Sequence, residues 1–370
     1  VGIDVTLGYS GPFEYTYYGY TTSSTPYRKK LDTRGAYLEH KWKITPRLTV
    51  TPGLRYESVK TWHNNYNFTK DQYYVDSIGE KFIKREFDEL VPKSFLTYEL
   101  DDVSDVLRDT SLSLGVSKIW NATSFCNGCA KTSGAYINPE HGIAYDLILS
   151  RRLWRDINLK VDYSYYEIKD YVVWVYSKHR NSTKYASYFT YVPAGATGQG
   201  GSCRYNLNKM TLQGVEISLD GHLLDNLSFY LNYAFLEMRD KEGVPWGEEA
   251  TDERAKHRVN AGLRYKIFDK TLLMLDYKFQ DEQTARNSEL IDEDEEDEED
   301  EDEWIVKTVP MSAYHVFDVA VEQTCFKKVS FLENVNLKFY INNLFDEEYE
   351  NDSGYPMTDR TYGAALSFTF

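Results

Sequence analysis

Apolar and polar side chains alternate along this chain with a period of two, and the alternation returns many times. Leu48, Val50, Pro52, Leu54 and Tyr56 interleave with Thr49, Thr51, Gly53, Arg55 and Glu57, so a strand through them has one greasy face and one polar or small face. The same reading holds from Ile157 to Tyr165, Leu227 to Phe235, Val259 to Ile267, Leu273 to Phe279, Val335 to Ile341 and Tyr362 to Phe370. Along the whole chain it predicts about fourteen strands, over 1–10, 30–45, 47–61, 89–101, 110–120, 136–150, 157–176, 207–221, 227–240, 253–268, 271–286, 305–325, 335–346 and 358–370. Short connections at Thr45-Pro46-Arg47, Asp101 to Asp109, Arg151 to Asp156, His222 to Asn226 and Phe268 to Lys270 fall on one side. Long polar segments at 11–29, 62–88, 121–135, 177–206, 241–252, 287–304 and 347–357 fall on the other. Short turns opposite long loops predict an all-β, antiparallel up-and-down transmembrane barrel, with the turns in the periplasm and the loops outside the cell. A soluble sandwich also alternates, but Tyr, Phe and Trp gather near the strand ends here, where a membrane barrel places its aromatic girdles.

Composition sharpens this picture. The 370 residues include 32 Tyr and 10 Pro, with 15% aromatics, a balance that suits pleated strands. No run approaches the roughly 18–20 apolar residues of a spanning helix, which leaves strands as the means of crossing. The formal charge of -16 comes mostly from twelve consecutive acids, Asp292 to Glu303, inside the 287–304 loop. Without that run the charge is nearly balanced, and no basic stripe argues for nucleic acid. Adjacent carboxylates repel one another, so the run predicts an extended acidic loop, and the ion that Asp292, Glu293, Asp294, Glu295, Glu296 and Asp297 would collect is calcium. Their spacing matches no EF-hand.

Catalytic signatures are missing from the sequence. The seven His are spread over strands and loops without an H-x-x-x-H or H-E-x-x-H arrangement, and neither a nucleophile elbow nor a phosphate loop occurs, so the reading is not an enzyme, with no resident cofactor and no firm metal site. Cys126 and Cys129 are expected in one outer loop and Cys203 in the next, where an oxidising space favours a disulfide over zinc. Both Cys126–Cys129 and Cys129–Cys203 pairings stay open. Cys325 is expected free at the periplasmic end. The candidate ligand surface is aromatic: Tyr17, Tyr18 and Tyr20 in the first long loop, Trp62, Tyr66 and Tyr73 in the second, and Tyr185, Tyr188 and Tyr191 in the fourth. The headgroup belt is an equal claim on such residues.

The last stretch carries a specific likeness. Tyr340-Ile341-Asn342-Asn343-Leu344-Phe345-Asp346, then Tyr349, Gly354-Tyr355-Pro356 and Arg360-Thr361-Tyr362-Gly363, closing on Ser367-Phe368-Thr369-Phe370, resembles the final two strands of TonB-dependent receptors. Asp359 stands where that family more often has Gly. Pro52-Gly53-Leu54-Arg55-Tyr56-Glu57, Tyr165 to Tyr171 and Leu212-Gln213-Gly214-Val215-Glu216-Ile217 are similar to internal strands of the same family, in the same order. The resemblance implies that residues 1–370 are the last fourteen strands of a 22-stranded bacterial outer-membrane barrel, with the N-terminal plug absent from this sequence. It implies Arg55, Glu57 and Glu216 as inward residues facing the lumen or plug, with Gly53 and Gly214 as bend points. It implies import of an iron-siderophore, cobalamin or similar scarce solute, a TonB complex reached through the plug, and a setting of lipid bilayer and lipopolysaccharide. The competing expectation is a passive channel or surface binding protein without TonB coupling.

Overall fold

The structure is a computed structural model that describes residues 2–17, 27–64, 66–67, 72–73, 82–122, 138–154, 156–175, 203–240, 254–268, 270–290, 304–329 and 332–369. Its body is one antiparallel sheet of fourteen strands in chain order. They are β1 (Gly2–Tyr17), β2 (Tyr27–Lys43), β3 (Leu48–Asn64), β6 (Phe82–Glu99), β7 (Thr110–Asn121), β8 (Glu140–Arg152) and β9 (Asn158–Val175). The sheet goes on through β10 (Cys203–Leu224), β11 (Leu227–Asp240), β12 (His257–Ile267), β13 (Thr271–Gln280), β16 (Tyr314–Val329), β17 (Leu332–Asn342) and β20 (Thr361–Thr369). Three two-stranded ribbons lie outside it, β4 (Tyr66–Asn67) with β5 (Gln72–Tyr73), β14 (Gln283–Leu290) with β15 (Trp304–Met311), and β18 (Glu350–Asp352) with β19 (Tyr355–Pro356). Each strand pairs with its sequence neighbour in the sheet, as an up-and-down wall requires.

Alternation decides which face is which. Leu38, Leu90, Leu114 and Leu366 are 46%, 53%, 50% and 57% exposed, so no second layer covers them and a sandwich is excluded for this face. On β3 this apolar face runs from Leu48 to Tyr56, about 27 Å along the strand and about 20 Å along the normal at the usual tilt, close to the ~25 Å apolar band of a membrane barrel. Its upper limit is marked by polar pairing. The Tyr56 hydroxyl donates to Asp88 at 2.8 Å, and Tyr233 and Tyr277 share hydrogen bonds with His257 and His315 at 2.8 and 2.9 Å. Beyond that level the same face turns to charge, with Lys60 paired to Glu86 and Glu237 to Arg239.

The turns explain why the strands reverse where they do. Thr45 Oγ1 accepts from the amides of Leu48 and Arg47 at 2.9 and 3.3 Å, closing the Thr45-Pro46-Arg47 turn. A short 3₁₀ turn, Asp105–Leu107, is capped by Ser104, whose hydroxyl accepts from the Val106 amide, while Asp101 accepts from the Asp109 amide at 2.7 Å.

The strands reach further than their alternation announces. The first, expected over 1–10, extends to Tyr17, and Trp62 lies within β3. Tyr66 and Tyr73, expected in irregular loop, face each other across the β4–β5 ribbon. Cys203, also expected in a loop, opens β10 opposite Val175. Above the membrane both faces of a strand meet water, so the apolar period fades while the backbone ladder continues. Two expected strands, 271–286 and 305–325, are broken instead. Asp281-Glu282 and Ser312-Ala313 interrupt the pairing, and β14 and β15 leave the wall as a separate ribbon.

Candidate functional site

The second face of the wall, carrying alternate residues to the apolar one, is where chemistry can occur. Glu39 pairs in register with Gly53, and Gly53 with Lys93, so three strands bring these positions into a row. Position 53 has no side chain, and a Cβ there would meet Lys93 Cε at 2.7 Å. The Lys93 chain therefore lies across Gly53 and reaches Glu39, Nζ to Oε2 at 2.7 Å, while its ammonium sits 4.9 Å from the Tyr37 ring centre. Tyr37 donates to the same carboxylate in a short hydrogen bond. Gly53 thus serves a close approach.

The device repeats on the other half of the sheet. Gly262 pairs with Tyr230 on one side and with Asp276 on the other. The Tyr230 hydroxyl passes over the glycine and donates to Asp276 Oδ1 at 2.6 Å, and Arg264 Nη2 reaches the same oxygen at 2.6 Å. Nothing in the alternation distinguished these glycines from others.

Arg55 and Glu57 lie on this polar face and form an ion pair with each other. Glu216 lies on it too and makes no hydrogen bond or ion pair among the described residues; it stands directly opposite Asp162, with Asp146 one strand further. Like charges directly across a ladder repel. Lys160 answers one oxygen of Asp162 at 3.3 Å, and the other is buried without a partner. Three acids on neighbouring strands therefore face the interior with Lys160 as the one cation paired among them by the described contacts. Among the described residues no group of three or more His, Cys, Asp or Glu is placed to hold a metal ion.

At the long-loop end the Asn343 to Arg360 segment is held by a polar clamp. Asn343, at φ 52°, accepts from the Glu347 amide at 2.8 Å and donates through Nδ2 to the Glu347 carbonyl at 2.9 Å. Its own amide donates to Asp318 at 2.7 Å, and Asp346 takes the Arg360 amide at 2.7 Å and its guanidinium at 3.3 Å. Tyr314, 2% exposed, donates to Asn351 and packs on Tyr349 with ring centres 4.4 Å apart. Lys278 sits over both rings, at 5.1 and 5.8 Å, and burial pushes the Tyr349 phenol above its ordinary value. Asn343, Asp346 and Arg360 from the resembled motif are thus loop-fixing groups.

Tyr18, Tyr20, Tyr185, Tyr188, Tyr191, Asp292 to Asp297, Cys126 and Cys129 lie outside the described residues. Tyr17, Trp62, Tyr66, Tyr73 and Cys203 are placed by backbone in strands or ribbons toward the long-loop end. Cys325 is a free, half-buried thiol near the short-turn end, at a bulge where the pairing shifts between Thr324 and Phe326.

A single-layer antiparallel wall with a lipid-height apolar face and a laterally paired polar face defines the wall of a bacterial outer-membrane β-barrel. Residues 1–344 match the family described as TonB dependent receptor-like, beta-barrel, and the chain belongs to that family. Among solved structures, the ferripyoverdine receptor of the outer membrane of Pseudomonas aeruginosa, bound to ferripyoverdine, aligns with a TM-score of 0.63 at 14% identity, over 93% of this chain and 39% of that one. The unliganded ferric citrate transporter FecA aligns at 0.60 and 16%, over 92% and 46%. The siderophore receptor PirA from Acinetobacter baumannii aligns at 0.59 and 13%, over 94% and 55%. This chain therefore spans about two-fifths to just over half the length of those proteins.

Proposed function

We propose that this chain is the wall segment of a receptor that imports a scarce chelated metal, a ferric siderophore first among the candidates, with cobalamin and similar solutes as further members of the class. The observation that carries the reading is the family match over a wall whose polar face is continuous from the short-turn end to the clamped outer loops. In this reading the fourteen strands are the last of twenty-two. The linear strand order supports it, since β1 and β20 stand at opposite edges of the sheet and do not pair with each other among the described residues. Open edges are not tolerated in hydrocarbon, and in this reading further strands would close the wall.

The loop aromatics Tyr17, Trp62, Tyr66 and Tyr73, with Tyr18, Tyr20, Tyr185, Tyr188 and Tyr191, would grip the solute from outside. The acidic run from Asp292 would gather calcium beside it, and a Cys126–Cys129 or Cys129–Cys203 bridge would pin a loop. Arg55, Glu57 and Glu216 would face a plug, through which a TonB complex would deliver the energy. The protein would bind and bias states, with no covalent step.

Uptake of radiolabelled iron by cells expressing the full-length receptor, with a panel of ferric siderophores and with or without TonB, tests the proposal. Saturable uptake that requires TonB is the expected result. Solute-independent conductance of the purified receptor in planar bilayers, with no saturable uptake, would overturn it in favour of a passive channel.

A further inference from the structure

The wall is split on its outer side between β6 and β7. Their ladder contains seven pairs, from Glu99 opposite Ser111 to Lys93 opposite Ser117, and stops there. Both strands go on: β6 remains paired with β3 as far as Phe82, and β7 with β8 as far as Asn121. Pro92 is the first residue of β6 beyond the last pair, and having no N–H it offers no donor for a further pair with β7. Lys118 bridges the split to Glu89, Nζ to Oε1 at 2.7 Å.

Below that bridge lies a groove of about 630 Å³ lined by Pro92, Ser94, Val116 and Ile143, with Lys118, His141, Glu167 and Lys169 among the residues of its upper margin. The groove opens on the lipid-facing side, at the top of the apolar band, on the long-loop side that faces out of the cell. An occupant must therefore be apolar below and polar above. The upper margin specifies the polar part. His141 pairs in register with Lys169, and Lys169 with Lys209, so three basic side chains stand directly opposite one another on three strands. The two lysines of this row repel each other unless anions answer them. Glu167 answers Lys209 at 2.5 Å and Asp170 lies 3.4 Å from His141, but Lys169, in the middle, has no ion pair among the described residues.

We propose that this split is a binding site for the lipid A part of lipopolysaccharide, one acyl chain lying over Pro92, Val116 and Ile143 and one phosphate seated on Lys169 beside His141, with Lys118 on the far side of His141. The acyl chain seals a break in the hydrogen-bonded wall, and the phosphate neutralises the basic row. The inference depends on the membrane setting alone and is independent of which solute the receptor carries.

Native mass spectrometry of the full-length receptor, stripped of lipid in detergent and then offered lipid A, dephosphorylated lipid A or phosphatidylethanolamine, tests it. The expected result is a one-to-one adduct with lipid A. Lys169→Ala, which removes one charge-assisted contact, and Ile143→Trp, which fills the groove, should each weaken it about tenfold or more, while Leu275→Trp elsewhere on the apolar face should not. Lys169 is exposed, so its variant tests the headgroup even if Ile143→Trp fails to assemble. Equal retention by wild type and Lys169→Ala, or equal retention of dephosphorylated lipid A or phosphatidylethanolamine, overturns the proposal.

Discussion

Replacing Asn343 by alanine should release the outer loop between β17 and β20. Asn343 is 4% exposed, and its side chain completes two hydrogen bonds with the Glu347 backbone, at 2.8 and 2.9 Å. Losing both costs about 1 kcal/mol each. Its φ of 52° lies in the left-handed region, where asparagine is tolerated and alanine pays a further ~1–2 kcal/mol. The total is about 3–4 kcal/mol, and because the clamp closes a loop, the loss should appear as local opening. Amide hydrogen exchange of the full-length receptor in detergent is the assay. Peptides covering 343–360, which include the Glu347 and Arg360 amides, should lose protection by about 100- to 1,000-fold, at a tenfold change per 1.4 kcal/mol. Asn343→Gly removes the same hydrogen bonds without the backbone strain and should be milder by about tenfold. Unchanged protection in Asn343→Ala, or a glycine variant worse than the alanine, would refute the account of this residue.

Other consequences are as direct. Leu114→Lys, in the middle of the apolar face, should cost about 2–4 kcal/mol in urea unfolding from lipid vesicles, whereas Ser113→Lys on the polar face should cost little; equal costs would mean the faces are assigned wrongly. Gly53→Val should displace Lys93 from Glu39 and destabilise the wall by about 1–3 kcal/mol, and the loss should shrink when Lys93→Met is already present, a non-additivity that a double-mutant cycle reads. At the periplasmic turn, the His222 ring beside Asp156, Nδ1 to Oδ2 at 2.6 Å, holds that carboxyl below its ordinary value. A depressed carboxyl contributes stability at pH values above its unfolded value and loses it as pH falls through the folded one. Acid titration of Asp156 followed by carbon NMR should therefore show a low midpoint in wild type and an ordinary one in His222→Ala.

Much of the wall was legible because a membrane-facing strand cannot hide its period. From Leu48 to Tyr56 the outward residues must be apolar, and the polar ones between them announce the opposite face. Legibility failed where that constraint lapses. Above the belt, Trp62 and Cys203 continue their strands in water, with no greasy face to betray them. The break after Gln280 was invisible for a related reason, since no Gly or Pro marks Asp281-Glu282, after which Gln283 to Leu290 leaves the sheet. The polar face was legible as polar, and Arg55, Glu57 and Glu216 fall on it. Which residues meet there was not, because alternation gives a face and never a register. Glu39 and Lys93 are two strands apart and touch only because the ladder places Gly53 between them. The Asn343 clamp lay in a motif that stood out by likeness, but its partner Asp318 belongs to another strand, and their convergence is a fact of three-dimensional placement.

The side chains that pass over Gly53 and Gly262 join strands that are not neighbours, Glu39 with Lys93 and Tyr230 with Asp276. A sheet held only by its ladders can shear, each strand sliding or fanning against the next like slats on a cord. Cross-bracing over a third member makes such a panel rigid. A vessel built from such braced panels keeps its cross-section when a load is applied from within.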